Sequence, residues 1–180
     1  MNVVEPIKNK KDLQRIEARL ALRNKRDLLM FELGINSGLR ISDILKLNIK
    51  DVRSQTHIHL VEKKTKKVKR FPLNQKVKGL IQSFIEGRYD DEPLFKTKFN
   101  NRLDRFQAYK IVSKACKDVG IKQKIGTHSL RKTFGYHHYQ QFKDLAILQR
   151  IFNHAQASTT LRYIGIDQEE IDKSYSSFVL

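Results

Sequence analysis

The stretch GTHSLRKTFGYHHYQ, Gly126 to Gln140, places His128 three residues before Arg131. On a helix, residues three apart share a face, so an imidazole and a guanidinium there could reach one anion. A guanidinium is planar, permanently charged and forked. It can donate two hydrogen bonds to the nonbridging oxygens of a phosphodiester. Arg40, in SGLRISDIL, offers a second such fork. Near the end of the chain, His154 and Tyr163 add an imidazole and a phenol. Each feature has an ordinary reading as well. Arg40 could be a surface arginine, and His128 with Arg131 a polar first turn. His154 continues the stripe of Ile147 and Ile151, which predicts a satisfied, partly buried histidine. An aromatic at Tyr163 is usually packing.

The remaining histidines make poor metal ligands. His57 and His59 point to one side of a strand. His137 and His138 are neighbours on a helix, about 100° apart. No His-Glu-x-x-His occurs. Cys116 is the one cysteine, which rules out an internal disulfide and a cysteine-based metal cluster. Neither a metal nor another cofactor is expected.

Charge narrows the partner. The 180 residues carry 36 Lys+Arg against 19 Asp+Glu, a formal net charge of +17. Such an excess points to a polyanion, most often nucleic acid. No apolar run approaches 18 residues and no charged-then-apolar leader opens the chain, so no membrane is expected. A cytoplasmic location is expected.

The elements that must position these residues are mostly helical. Asp12 reads as the cap of a first helix with Leu13, Ile16 and Leu20 inward. Leu28 to Ile35 is apolar on most faces, which predicts a buried helix stopping at Gly38. Ser42 reads as the cap of a short third helix. The period then changes to two, predicting strands over 57–62 and 67–72 joined by a basic turn near Thr65. Asn74 caps a helix with Val77, Leu80, Ile81, Phe84 and Ile85 as its stripe. A loop over 90–102 precedes a long helix ending at Gly120. Another helix follows Thr127, and then one with Leu145, Leu148, Ile151 and Phe152 inward. A short acidic helix follows Gly165. The fold class is mainly α with a small antiparallel β-hairpin (α+β), within one domain over 1–180.

Taken in order, these elements resemble the tyrosine recombinase (phage integrase) family over nearly the whole chain. NSGLRISDILKL resembles its first arginine box, which makes Arg40 a catalytic arginine and Asp43 the acidic residue that follows it. VEKKTKKVKRFPL resembles its β-hairpin and places the catalytic lysine at Lys64, by register with Pro72 and Leu73. HSLRKTFG resembles its His-x-x-Arg box, giving His128 and Arg131. IFNHAQASTTLRYIGI resembles its last box, with His154 in the second histidine position and Tyr163 as the nucleophile. Phe152-Asn153 stands where the family has Leu-Gly, a departure that bears on the backbone there. The other hairpin cations, Lys63, Lys66, Lys67, Lys69 and Arg70, are expected to contact DNA phosphates.

The resemblance implies a tyrosine recombinase catalytic-domain fold and a reaction. A phenol with pKa near 10 is about 0.1% ionised at pH 7, a deficit of roughly 4 kcal/mol. Two arginines could hold the charge developing on phosphorus. His128 could accept the phenol proton, and Lys64 could protonate the leaving 5′ oxygen. The product would be a covalent 3′-phosphotyrosine, resealed without metal or ATP. The family's tetramer on DNA is implied too, with a C-terminal segment docking between protomers through Ile171, Tyr175 and Phe178. The segment EPIKNKKDL resembles the start of the catalytic domain, so an N-terminal core-binding domain is expected to be absent. The alternatives are a DNA-binding regulator that kept the fold and a type IB topoisomerase-like relaxing activity.

Overall fold

The structure is a computed structural model that describes residues 4–61, 68–166 and 168–179, apart from the side chains of Lys69 and of residues 168–172. Helix α1 (Lys10–Arg23) begins at Asn9, whose side chain accepts from the Lys11 amide. The expected cap, Asp12, lies inside the first turn, where a carboxylate favours the positive end of the helix and pairs with Arg15 at 3.3 Å. Asn24 ends α1, and its side chain caps α2 (Lys25–Ser37) by accepting from the Arg26 amide.

Helix α2 is the axis of the fold. Leu29, Met30, Phe31 and Leu33 are fully buried on it, each worth about 1.5–3 kcal/mol relative to exposure. The chain continues through α3 (Ile41–Ile44) and a short 3-10 turn (Ile49–Asp51) into β1 (His57–Val61) and β2 (Val68–Pro72). The strands are antiparallel, with Ile58 opposite Phe71 and His59 opposite Arg70. The observed strands agree with the period-two reading; residues 62–67, between them, lie outside the described residues. Asn74 caps α4 (Gln75–Ile85), as expected, through the Val77 amide. Next come α5 (Arg105–Asp118), α6 (Thr127–Phe142), α7 (Leu145–Phe152), α8 (Ala157–Ile164) and α9 (Gln168–Ser177). The fold is therefore mainly helical with one small antiparallel sheet.

Besides the cap of α1, two further details differ from the spacing. Ser42 does not cap α3; the N-cap position belongs to Arg40, whose side chain makes no capping bond. On α7 the expected inward residues Leu148 and Phe152 are buried and Ile151 packs against them; Ile147, aligned with Ile151 and His154 by spacing, is instead 48% exposed, because α7 rests one edge on α6 and α8 rather than entering the main core.

Apolar burial falls into two clusters. The larger runs from Ile7 through α1, α2, α4 and α5 to Leu130 on α6. The smaller is Leu148, Phe152 and Ile164, with Phe134 and Tyr163 packed against it. Helix α6 belongs to both, so residues between Leu130 and Phe134 sit at the junction.

A polar network crosses the larger core. Glu32 is fully buried on α2. Lys76 of α4 reaches Glu32 and Glu17 of α1, each at 2.8 Å. Asn36 donates to the other Glu32 oxygen at 2.9 Å and accepts from Asn74. Burial pushes the Glu32 carboxyl up to about 7, against the opposing pull of Lys76. A carboxyl whose pKa rises on folding stabilises the fold below its unfolded pKa and loses that contribution as pH climbs through its folded one. We expect the wild type to lose up to about 3 kcal/mol relative to Glu32→Gln as pH rises from 4.5 to 8, measured by urea unfolding of both proteins across that range.

Candidate active site

Arg131 lies at the junction of the two clusters, 6% exposed. Its guanidinium donates to the Gly38 carbonyl at the end of α2, and to the Phe152 carbonyl at the end of α7 at 3.3 Å. Its plane also covers the Phe152 ring, 4.4 Å from the ring centre. The acceptors are neutral carbonyls, so no carboxylate cancels its charge directly. Asp43 acts on it only through its field. Burial pushes its pKa down, yet an arginine stays charged in any working range.

Gly38 makes this possible. It ends α2 in the left-handed conformation, φ 63°, and a Cβ there would stand 2.5 Å from the Phe134 ring. Only glycine combines that dihedral with that approach. The turn aims its carbonyl at Arg131 and swings the chain to Arg40, which is exposed. Arg40 raises the local positive potential felt by Arg131, His154 and Tyr163 alike.

His154 arrives by a different route from the one its spacing suggests. Helix α7 stops at Phe152, and Asn153 takes φ 56°, ψ 47°. Asparagine tolerates this left-handed region better than other side chains, so Phe152-Asn153 performs the turn that a glycine would. His154 thereby leaves the face of Ile147 and Ile151. Its Nδ1 lies 3.0 Å from the hydroxyl of Thr160, itself fully buried on α8. Burial first, then Arg131 and Arg40, lower its pKa, which favours the neutral ring at pH 7.

Tyr163 sits on α8, edge-on to both Phe152 and His154, with ring centres 5.3 Å away in each case. Gly135 lets the elements close this far. A Cβ there would lie 2.6 Å from both Ile164 and Phe152. Burial pushes the phenol pKa up, while Arg131, by charge and by a hydrogen bond, and Arg40, by charge, pull it down. The site thus holds a nucleophile-capable oxygen in the field of two cations, open on the Arg40 side.

Of the residues singled out in the sequence, Arg40, Arg131, His154 and Tyr163 are brought together. His128 is exposed in the first turn of α6, one turn before Arg131, without a hydrogen bond to the other four elements of the site. Lys64, with Lys63, Lys66 and Lys67, lies outside the described residues. Lys69 pairs with Leu60 across the ladder. Arg70 is exposed and lies 3.1 Å from His57 Nε2. His137 donates from Nε2 to the Ile7 carbonyl at 3.0 Å, a structural role, and His138 packs between Phe134 and Phe142. Sequence reasoning missed Thr160, the Gly38 and Phe152 carbonyls, and Lys132. Backbone acceptors leave no mark in side-chain spacing, and Lys132 reads as one basic residue among many.

Residues 9–170 match the phage integrase family, and the chain belongs to that family; its class is the tyrosine-type site-specific recombinase. In particular, it is similar to the probable integrase/recombinase YoeC of Bacillus subtilis, 44% identical over 179 residues, 99% of this chain and 98% of that one. It is 32% identical to tyrosine recombinase XerC of Thermodesulfovibrio yellowstonii over 84% of this chain and 54% of that one. The chain therefore spans nearly all of the first relative and about half of the second. Among solved structures, XerA recombinase superposes with a TM-score of 0.78 at 18% identity, covering 98% of this chain and 64% of that one. XerH bound to its palindromic difH substrate, a post-cleavage complex, gives 0.74 at 21% identity, covering 98% and 54%. These likenesses establish the tyrosine recombinase catalytic-domain fold.

Arg131→Lys keeps the charge but loses the fork that spans the Gly38 and Phe152 carbonyls. It is expected to lower the unfolding free energy by about 1–3 kcal/mol, read from the denaturant midpoint at unchanged slope.

Proposed function

We propose that this chain is a site-specific DNA recombinase that cuts and rejoins DNA strands through Tyr163. The supporting observation is the convergence on one phenol of two arginines and a histidine from three separate parts of the chain. In the proposed step the Tyr163 oxygen attacks phosphorus and its proton passes to His128, exposed one turn before Arg131, through the phosphate site that the bound DNA completes between them. The bond from phosphorus to the 5′ oxygen breaks, and Lys64 protonates that oxygen as it leaves. Arg40 and Arg131 hold the nonbridging oxygens as charge builds on them. His154, favoured as the neutral ring by burial and the two arginines and oriented by Thr160, supports the same group by hydrogen bonding.

The product is a 3′-phosphotyrosine and a free 5′-hydroxyl. One phosphoester replaces another, so bond energy is preserved and a 5′-hydroxyl can reverse the step. The balance calls for neither ATP nor a metal.

Double-stranded DNA is the proposed partner, in keeping with the +17 charge. The hairpin cations Lys63, Lys66, Lys67, Lys69 and Arg70 are proposed to track its backbone. Assembly as a tetramer on DNA is part of this reading. Tyr175 and Phe178, 81% and 70% exposed at the end of α9, are available to dock on a second copy. Among the described residues no helix is long and apolar enough to cross a membrane, and the proposed place of action is the cytoplasm.

The test is a nicked suicide duplex carrying the chain's own target, with flanking repeats of its locus as candidates. The expected result is a covalent band on a denaturing gel that disappears with Tyr163→Phe and falls by about 10²-fold or more with Arg131→Ala. An undiminished adduct with Tyr163→Phe would falsify the assignment. Affinity for duplex DNA is expected to fall steeply with salt, roughly one logarithmic unit of slope per phosphate contacted, in titrations from 50 to 200 mM. A flat salt profile would contradict backbone contact by the hairpin.

A further inference from the structure

Lys132 follows Arg131 on α6 and is 9% exposed. A lysine is almost never buried so far without a partner. Its ammonium donates to the Val4 carbonyl at 2.9 Å, and it stands over the Tyr163 ring, 5.3 Å from the ring centre. The ring is thus bordered by a cation on its face and by Phe152 and His154 at its edges.

The carbonyl that holds Lys132 is itself fixed. Residues 4–8 form a strap across α6. Glu5 donates from its amide to the Lys124 carbonyl at 3.0 Å. The Ile7 amide donates to the Thr133 hydroxyl at 2.8 Å, and the Ile7 carbonyl accepts from His137. Pro6 closes on Gly165, where a Cβ would meet it at 3.2 Å. The strap therefore touches both α6, which carries Lys132, and the residue that ends α8, which carries Tyr163.

We propose that Lys132 is a positioning residue for Tyr163: its strap-held ammonium fixes the ring and favours the phenolate over the phenol. A cation over an aromatic face is attracted by the ring quadrupole. Ionisation of the hydroxyl spreads negative charge into the ring, so the same cation gains more from the phenolate. The interaction is therefore differential between the two states, which is what aids a nucleophile. It differs from the role of Arg131, which meets the oxygen and lies in place to meet the phosphate. Arg131 on α6 and Arg40 before α3 act on Tyr163 by charge; Lys132 on α6 faces the ring, with the His154 ring at its edge. Asp43 acts on Arg131, and Glu5 acts on Lys132. Burial lowers the Lys132 pKa while Glu5 opposes it.

This inference rests on Tyr163 as the nucleophile for its use, but its physical content can be read without DNA. Ultraviolet titration of tyrosinate in wild type minus Tyr163→Phe isolates the Tyr163 curve. The same difference in a Lys132→Met background gives the curve without the cation. The expected result is an upward displacement of about one pH unit in Lys132→Met, with Lys132→Arg restoring the wild-type midpoint. Coincident curves in wild type and Lys132→Met overturn the proposal. If Lys132→Met does not fold, as judged by its thermal melt, Lys132→Gln takes its place in the same comparison. In single-turnover cleavage the alkaline rise should move by the same amount, about tenfold in rate near pH 7.5. An equal loss at every pH in the methionine and arginine variants would mark a merely structural residue and also overturn the proposal. Absence of an adduct in wild type would count against the recombinase reading, while the titration would still decide for or against Lys132.

Discussion

The structure depends on one buried guanidinium. Arg131 ties the end of α2, through Gly38, to the end of α7, through Phe152, and so joins the two apolar clusters. Burying a charge is costly unless it is hydrogen-bonded. Here carbonyl oxygens meet that requirement without neutralising the charge. A carboxylate in their place would have paired with the charge and neutralised it.

The elements carrying the other groups are too short to stand alone. Helices of four and eight residues are marginal in water, and tertiary contacts hold them. Each presents its side chain at an end rather than a middle: Arg40 at the start of α3, His154 just past α7, Tyr163 near the end of α8. Element ends can be aimed by a single left-handed residue. Gly38 and Asn153 do so, at φ 63° and 56°. The strap over residues 4–8 then pins α6 and the close of α8 from outside, so the ring of Tyr163 has fixed neighbours on its face as well as its edges.

Legibility in the sequence varied with the range of the interaction. Helix and strand periods, the Asn74 cap and the buried character of α2 are local, and they could be read. The cap at Asp12 was misread because Asn9, three residues earlier, takes it; the one at Ser42 because α3 starts at Arg40 with no side-chain cap at all. The inward residues of α7 could be read as well, while Ile147, in line with Ile151 by spacing, stays exposed because a helix resting on two neighbours buries a narrow face.

By itself the sequence determined the residue types of the site, their order and the charge that suits a polyanion, since these are properties of composition and short motifs. Tertiary structure decided which histidine meets Tyr163. Spacing predicted a satisfied, partly buried His154, which holds, and paired His128 with Arg131. The fold adds that Asn153 aims His154 onto Thr160 and Tyr163, and it leaves His128 exposed. It also decided the setting of Lys132, whose neighbours Val4 and Tyr163 lie far away along the chain. Such contacts arise from the packing of α6 between the strap and α8, and no local pattern encodes them.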